Sequence, residues 1–103
     1  MTPSRFTSRF LVLLVIAFVA GCAVSPPVQE MSNARQAIAA AADAEAVQLA
    51  PGALDEALRY LDEAEAQIRD RLFNLARANA IRAKNSAVDA LLAVQAASRS
   101  ADN

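Results

Sequence analysis

The sequence predicts an all-α fold, a two- or three-helix antiparallel hairpin or bundle. Alanine makes up 24 of the 81 residues that follow Cys22, and alanine has the highest helix propensity of all residues. Apolar residues in this part recur at spacings of three and four, which is the pattern of one face of an amphipathic helix. Proline and glycine interrupt it only at Pro26, Pro27, Pro51 and Gly52. The sequence therefore predicts a few long helices joined by short turns, similar in architecture to a TPR-like hairpin.

The N-terminal segment has the features of an export signal. Residues 1–9 carry two arginines and no acidic residue, and every residue from Phe10 to Ala20 is apolar. A helix needs about 20 apolar residues to cross a bilayer, so this run is too short to span one. A basic segment followed by a short apolar run is typical of a signal peptide, which we predict to comprise residues 1–21.

At the end of the apolar run stand Val19, Ala20, Gly21 and Cys22. These four residues resemble the lipobox of bacterial lipoprotein precursors, in which an aliphatic residue and two small residues precede an obligatory cysteine. The resemblance implies cleavage between Gly21 and Cys22, and diacylglyceryl and N-acyl groups on Cys22. Covalent lipid on Cys22 would then hold the protein on a membrane. Two alternatives stay open: an ordinary secretory signal with an incidental cysteine, and an uncleaved N-terminal anchor.

The residue after the cysteine bears on the destination. In lipoproteins of double-membraned bacteria, aspartate at this position favours retention at the inner membrane, whereas this chain has Ala23. The resemblance therefore implies the outer membrane, with the protein facing the periplasm. Each buried methylene of an acyl chain contributes about 0.8 kcal/mol, so two or three chains anchor a protein durably without a transmembrane helix.

Three further segments are predicted after the signal peptide. Residues 22–30 are expected to form the lipidated N-terminus and a short tether, because two consecutive prolines favour an extended polyproline II conformation. Residues 31–98 are expected to form the alanine-rich helical domain. Residues 99–103 are expected to be a disordered tail.

The first helix is predicted over Met31–Leu49, where apolar residues keep helical spacing. Ser32 or Asn33 could cap its start, or Gln29 could belong to its first turn. A tight turn is predicted at Leu49–Gly52, because the proline there removes a backbone donor and disfavours helical angles in the residue before it. This turn would join two antiparallel helices.

The second helix is predicted to carry a stripe of large apolar residues, and the third a stripe made mostly of alanine. The positions are Leu54, Leu58, Leu61, Ala64, Ile68 and Leu72, then Ala76, Ala80, Ala83, Ala87, Leu91 and Val94, with Ile81, Val88 and Leu92 widening the second stripe. The boundary between the two helices stays open, because residues 69–74 contain neither glycine nor proline. Either Asn74 caps a third helix, or residues 52–98 run as one long rod.

Charge distinguishes the two halves of this region. Pro51–Arg71 contains six acidic residues and three arginines, for a net charge of −3, whereas Leu72–Arg99 contains four bases and one acid, for a net charge of +3. Opposite charges favour a hairpin over a rod, although each exposed pair contributes only about 0.2–1 kcal/mol. Arg77, Arg82 and Lys84 are the predicted interaction face. The alternative interpretation is an ordinary solvated helix surface.

Two segments are similar to a family of small bacterial envelope lipoproteins that carries the domain of unknown function 4398. The segments are Ala34–Ala46 and Leu49–Ala66, together with the spaced alanines that follow, namely Ala76, Ala80, Ala83 and Ala87. The similarity covers roughly residues 30–97. The family often has a glycine-containing turn where this chain has Arg71-Leu72-Phe73. The resemblance implies a helical envelope lipoprotein, and it brings no catalytic residues with it.

The sequence lacks the residue patterns typical of catalytic, metal-binding, phosphate-binding and nucleic-acid-binding sites. The chain has no histidine and one cysteine, so a Ser-His-Asp or Cys-His arrangement is impossible. Metal ligation would have to use carboxylates alone, without calcium-loop spacing. There is no glycine-rich phosphate loop, and the third helix is too weakly basic and too poor in aromatic residues for nucleic acid. We predict no catalytic activity, cofactor, metal site or small-molecule substrate.

The sequence therefore predicts a structural or protein-interaction module on a membrane, with another protein or a second copy of the chain as partner. One alternative is a non-covalent peptidoglycan tether, and another is an adaptor for an envelope complex. Covalent attachment to the cell wall through a C-terminal lysine is disfavoured, because the only lysine, Lys84, lies inside the third predicted helix.

Overall fold

The computed structural model describes residues 7–14 and 25–102 of the 103-residue chain. These residues form five helices and no strand. The helices are α1 over residues 7–14, α2 (Val28–Asp43), α3 (Ala46–Leu49), α4 (Pro51–Arg69) and α5 (Phe73–Asp102). The predicted all-α bundle is confirmed. The region 52–98 forms two helices, so the alternative of one long rod is wrong.

The longest helix, α5, is the centre of the bundle, and α2 and α4 both pack along it. Glu30 near the start of α2 pairs with Arg77 near the start of α5. Arg35, further along α2, pairs with Glu65 near the end of α4. Helix α2 therefore runs parallel to α5 and antiparallel to α4. The beginning of α2 and the α4–α5 turn lie at the same end of the bundle.

The core between the helices is built mainly of alanine. Among the described residues, and leaving Pro27 aside, eleven of the fourteen buried apolar residues are alanines, and the other three are Met31, Leu54 and Val94. Alanine side chains are short, so the helices approach closely and the fit depends on the absence of side-chain bulk. Met31 is the exception, because its long side chain fills the space beside Ala64 and Ala80 at one end of the bundle.

Helix α2 begins earlier than predicted. Its N-cap is Pro27, whose φ of −78° is close to helical and whose ring is buried. The N–H of Met31 donates to the carbonyl of Pro27 at 3.0 Å. The helix therefore starts within the predicted tether, with Gln29 in its first turn, and neither Ser32 nor Asn33 is its cap. The reason is that proline is compatible with the first turn of a helix, where its missing N–H has no partner to lose.

The connection between α2 and α4 also differs from the prediction. The helix predicted over Met31–Leu49 breaks after Asp43, because Glu45 adopts the left-handed conformation at φ 70°. The one-turn helix α3 follows, and Ala50 is the single non-helical residue before α4. The chain thus reverses over residues 44–50 and not within Leu49–Gly52. This path buries Ala46, the first residue of α3, and Ala50 against the rest of the core. It is an effect of tertiary packing that local propensity does not show.

The turn between α4 and α5 is a Schellman motif without glycine. Arg71 has a φ of 61°. Its N–H donates to the carbonyl of Ile68 at 3.0 Å, and the N–H of Leu72 donates to the carbonyl of Gln67 at 2.8 Å. Asn74 lies inside α5, so its predicted role as the cap is wrong. The carbonyl of Leu72 accepts the first N–H bond of the new helix.

Replacement of Arg71 with glycine is expected to raise the free energy of unfolding by about 0.5–1 kcal/mol, because glycine adopts a positive φ without a steric penalty. Urea denaturation followed by circular dichroism measures this change. The matched control is Arg69→Gly, which puts glycine in the last turn of α4 and is expected to lower the free energy by about 0.5–1 kcal/mol. A decrease with both variants would contradict the assigned turn.

The C-terminal end of α5 continues further than predicted. Residues 99–102, expected to belong to a disordered tail, are helical. The segment contains no proline or glycine that would end the helix. The hydroxyl groups of Ser98 and Ser100 donate to the carbonyls of Val94 and Ala96, one turn back, which keeps both side chains within the helical hydrogen-bond pattern.

Candidate interaction surface

Helix α5 carries an apolar stripe on the side that faces away from α2 and α4. Ile81, Val88 and Leu92 are 45%, 38% and 56% exposed. At 100° per residue they lie within about 40° of one another, opposite the buried positions Ala83 and Ala90. We call these three residues the outer stripe. The sequence assigned them to a widened core face, whereas the structure places them outside the core.

The predicted interaction residues border the outer stripe on both sides. Arg77 and Lys84 lie seven residues apart along the border nearer α2. Arg82 lies along the border nearer α4, in line with Asp89. The three cations therefore do not form one patch. They frame an apolar surface, and Asp89 adds an acidic group to one border.

Arg77 is held by two contacts. Its Nε lies 3.3 Å from Oε1 of Glu30, and its Nη1 donates to Oδ1 of Asn74 at 3.3 Å. Both members of the ion pair are partly buried. Arg77 therefore ties the start of α2 to the start of α5, and its charge is already opposed by a carboxylate.

A buried asparagine positions Arg82. Asn79 is 5% exposed, and its Nδ2 donates to Oε1 of Gln67 on α4 at 2.9 Å. Its Oδ1 accepts a bond from Nη1 of Arg82 at 3.1 Å. Sequence reasoning missed Asn79, although its position one residue before Ala80 in the alanine stripe was a signal. Buried amides need partners, and among the described residues every buried side-chain nitrogen and oxygen has one.

The outward face of α4 is acidic, in contrast to α5. Glu63 forms an ion pair with Arg59, with Oε1 and Nη1 3.1 Å apart. The guanidinium of Arg59 also lies 4.6 Å from the centre of the Tyr60 ring. Hydrogen bonding to Tyr60 and the charge of Glu63 raise the pKa of Arg59 above its ordinary value. Both ion-pair partners are about half exposed, so this pair stabilises the fold little.

The predicted lipidation site, Cys22, lies outside the described residues, as do the other lipobox residues Val19, Ala20 and Gly21. The described chain resumes at Ser25, three residues after Cys22, which is a reach of about 10 Å at most. Helix α2 begins at Val28, at the end of the bundle that holds the α4–α5 turn. A lipid on Cys22 would therefore attach at that end.

Within residues 7–14 and 25–102, no three carboxylate, cysteine or histidine side chains come together in a way that could hold a metal ion. None of the helices described there is long and apolar enough to cross a membrane. A shallow pocket beside Ser8, Arg9, Val12 and Leu13 lies on α1, which is part of the predicted signal peptide.

No family model matches the chain, and no curated protein and no solved structure matches it significantly. The resemblance to envelope lipoproteins with the domain of unknown function 4398 stays a prediction.

Proposed function

We propose that this protein is a lipid-anchored module of the bacterial cell envelope that binds another protein chain through α5. The observation that carries the binding role is the outer stripe, an apolar surface framed by charged side chains on the longest helix of the bundle. An apolar line rimmed by charge is the composition expected of a surface that docks onto another helix.

The packing of the bundle supports this role. An alanine core lets three helices pack closely, so that α2 and α4 support α5 along its inner side. Helix α5 has 30 residues and is about 45 Å long, and its outer face extends along this length. The lipid on Cys22 would hold this helix at one end. No reaction is assigned to the protein, because the chain has no histidine and a single cysteine, which leaves no Ser-His-Asp or Cys-His arrangement for nucleophilic catalysis. We propose the periplasmic face of the outer membrane as its location, on the strength of Ala23 after the lipobox.

The proposed anchor is tested by the Cys22→Ser variant of the full-length chain, expressed in a double-membraned bacterium. The wild-type chain is expected in the membrane fraction, and the variant is expected to accumulate as an unprocessed precursor that carries no lipid label. Incorporation of a radiolabelled fatty acid, followed by fractionation, measures both properties. Equal lipid labelling of the two chains would overturn the proposal.

The proposed destination has its own test. Ala23→Asp keeps the lipobox and is expected to move the protein from the outer to the inner membrane on a sucrose density gradient. Ser25→Asp is the matched control, since it adds the same charge two residues further on and is expected to leave the protein in the outer-membrane fraction. Identical gradient profiles for the wild-type and Ala23→Asp chains would contradict the proposed sorting.

A further inference from the structure

We propose that the outer stripe binds the outer stripe of a second copy of this chain, with the two α5 helices parallel. The proposal names the partner of the module described above, and it rests on that proposed function for the shared membrane. Helices α2 and α4 both lie on the other side of α5, so neither obstructs the approach of a second α5.

The spacing along the outer face of α5 is that of a coiled-coil seam. Ala78, Asn85 and Leu92 follow one another at intervals of seven, and Ile81 and Val88 stand between them. The resulting alternation of three and four residues is the heptad pattern that lets two helices interlock side by side. The seam is short, and three of its five residues are the large apolar side chains of the outer stripe.

Asn85 decides the direction of the second helix. It is exposed in the single chain and lies between Ile81 and Val88 along the seam. In a parallel pair it would face Asn85 of the second copy, so that the two amides satisfy each other. In an antiparallel pair it would face Val88 of the second copy, which offers no hydrogen bond. A polar group without a partner at an interface costs free energy, and a paired asparagine at this heptad position specifies register in coiled coils.

The charges on the two borders of the stripe agree with the parallel arrangement. Lys84 and Asp89 lie on opposite borders and are five residues apart, which is the spacing that faces across a parallel seam. Lys84 of each copy would therefore meet Asp89 of the other, twice by symmetry. Arg77 would approach Arg82 of the second copy, but Arg77 is already paired with Glu30 at 3.3 Å. The repulsion is correspondingly reduced.

Shared anchoring compensates for the shortness of the seam. In a parallel pair both α2 helices begin at the same end, so two lipids on Cys22 can enter one membrane. Confinement to a common surface raises the effective concentration of the two seams, and a contact too weak for dilute solution can then form.

The experiment is cross-linking of the full-length chain in isolated membranes. Gln95→Cys places a thiol on the seam beyond Leu92, and a short bismaleimide is expected to join two copies there. In an antiparallel pair centred on the stripe, the two thiols would lie about 25 Å apart and would not be joined. Glu56→Cys, on the exposed face of α4, is the control position and is expected to yield monomer.

A second substitution tests the stripe itself. Leu92→Glu in the Gln95→Cys chain is expected to lower the dimer yield about tenfold or more, because it puts a carboxylate into the apolar seam. Leu58→Glu, an equally drastic change of an exposed leucine on α4, is expected to leave the yield unchanged. Absence of dimer from the Gln95→Cys chain, or a yield that Leu92→Glu does not lower, overturns the proposal.

A charge reversal tests the register. Lys84→Asp is expected to lower the dimer yield, and Lys84→Asp combined with Asp89→Lys is expected to restore it. The two residues lie on opposite borders of one helix, so restoration requires a second copy. Failure of the double variant to exceed Lys84→Asp would overturn the parallel register.

Failure of the membrane anchor is visible separately in the same samples. In the chain without an added cysteine, an acylated Cys22 does not react with maleimide. Maleimide labelling of that chain would overturn the anchor. The stripe is then tested by the same cross-linking in the full-length Cys22→Ser background at high concentration in detergent.

Discussion

Replacement of Met31 with alanine is expected to lower the free energy of unfolding by about 2–5 kcal/mol. Met31 is 2% exposed and is the largest fully buried side chain among the described residues. It lies in a cluster with Ala64 and Ala80. Its truncation leaves a cavity beside Ala64 and Ala80, whose side chains are too short to fill the space. Urea denaturation at several concentrations of the protein measures the loss.

The control for this substitution is Val47→Ala. Val47 is 62% exposed, so its truncation is expected to change the free energy of unfolding by less than about 0.5 kcal/mol. If Met31→Ala were no more destabilising than Val47→Ala, the methionine would not be a core residue, and the packing of α2 against α4 and α5 would be contradicted.

Replacement of Ala87 with leucine is expected to lower the free energy of unfolding by about 1–3 kcal/mol or more. Ala87 is fully buried in the cluster that also contains Ala41 and Ala57, so the added carbon atoms have no space at the present distance between the helices. The helices must move apart or the leucine must adopt a strained rotamer. Thermal denaturation followed by circular dichroism measures the effect.

The matched control is Ala96→Leu on the same helix. Ala96 is exposed, and leucine is nearly as good a helix former as alanine. The control is therefore expected to leave the midpoint of unfolding nearly unchanged. Equal destabilisation by both variants would show that the alanine at position 87 is not selected by close packing.

The long helices could be predicted from the sequence because composition and apolar spacing agree over many residues. Helix α5 buries its predicted line of alanines. Helix α4 buries Leu54 and Ala64 of its predicted stripe, whereas Leu58 and Leu72 are 42% and 47% exposed. The ends of the helices were less predictable from the sequence. Glu45 and Arg71 both adopt the left-handed conformation that glycine usually supplies. Tertiary packing sets these two turns, and no residue type marks them in the sequence.

The candidate surface could be predicted only in part. The sequence identified the basic residues Arg77, Arg82 and Lys84, but it could not show that they lie on two borders of an apolar stripe. Ile81, Val88 and Leu92 have the composition of core residues, and only the positions of α2 and α4 place them outside the core. Which of two apolar faces a helix buries depends on its neighbours, and periodicity does not specify them.

The lipid anchor is the part of the proposed function that a single measurement tests most directly. That measurement is the mass of the N-terminal peptide of the protein purified from membranes. We predict a peptide that begins at Cys22 and carries the mass of a diacylglyceryl group and an N-acyl chain. A peptide that begins upstream of Cys22, or one that begins at Cys22 without added mass, would contradict the proposed anchor.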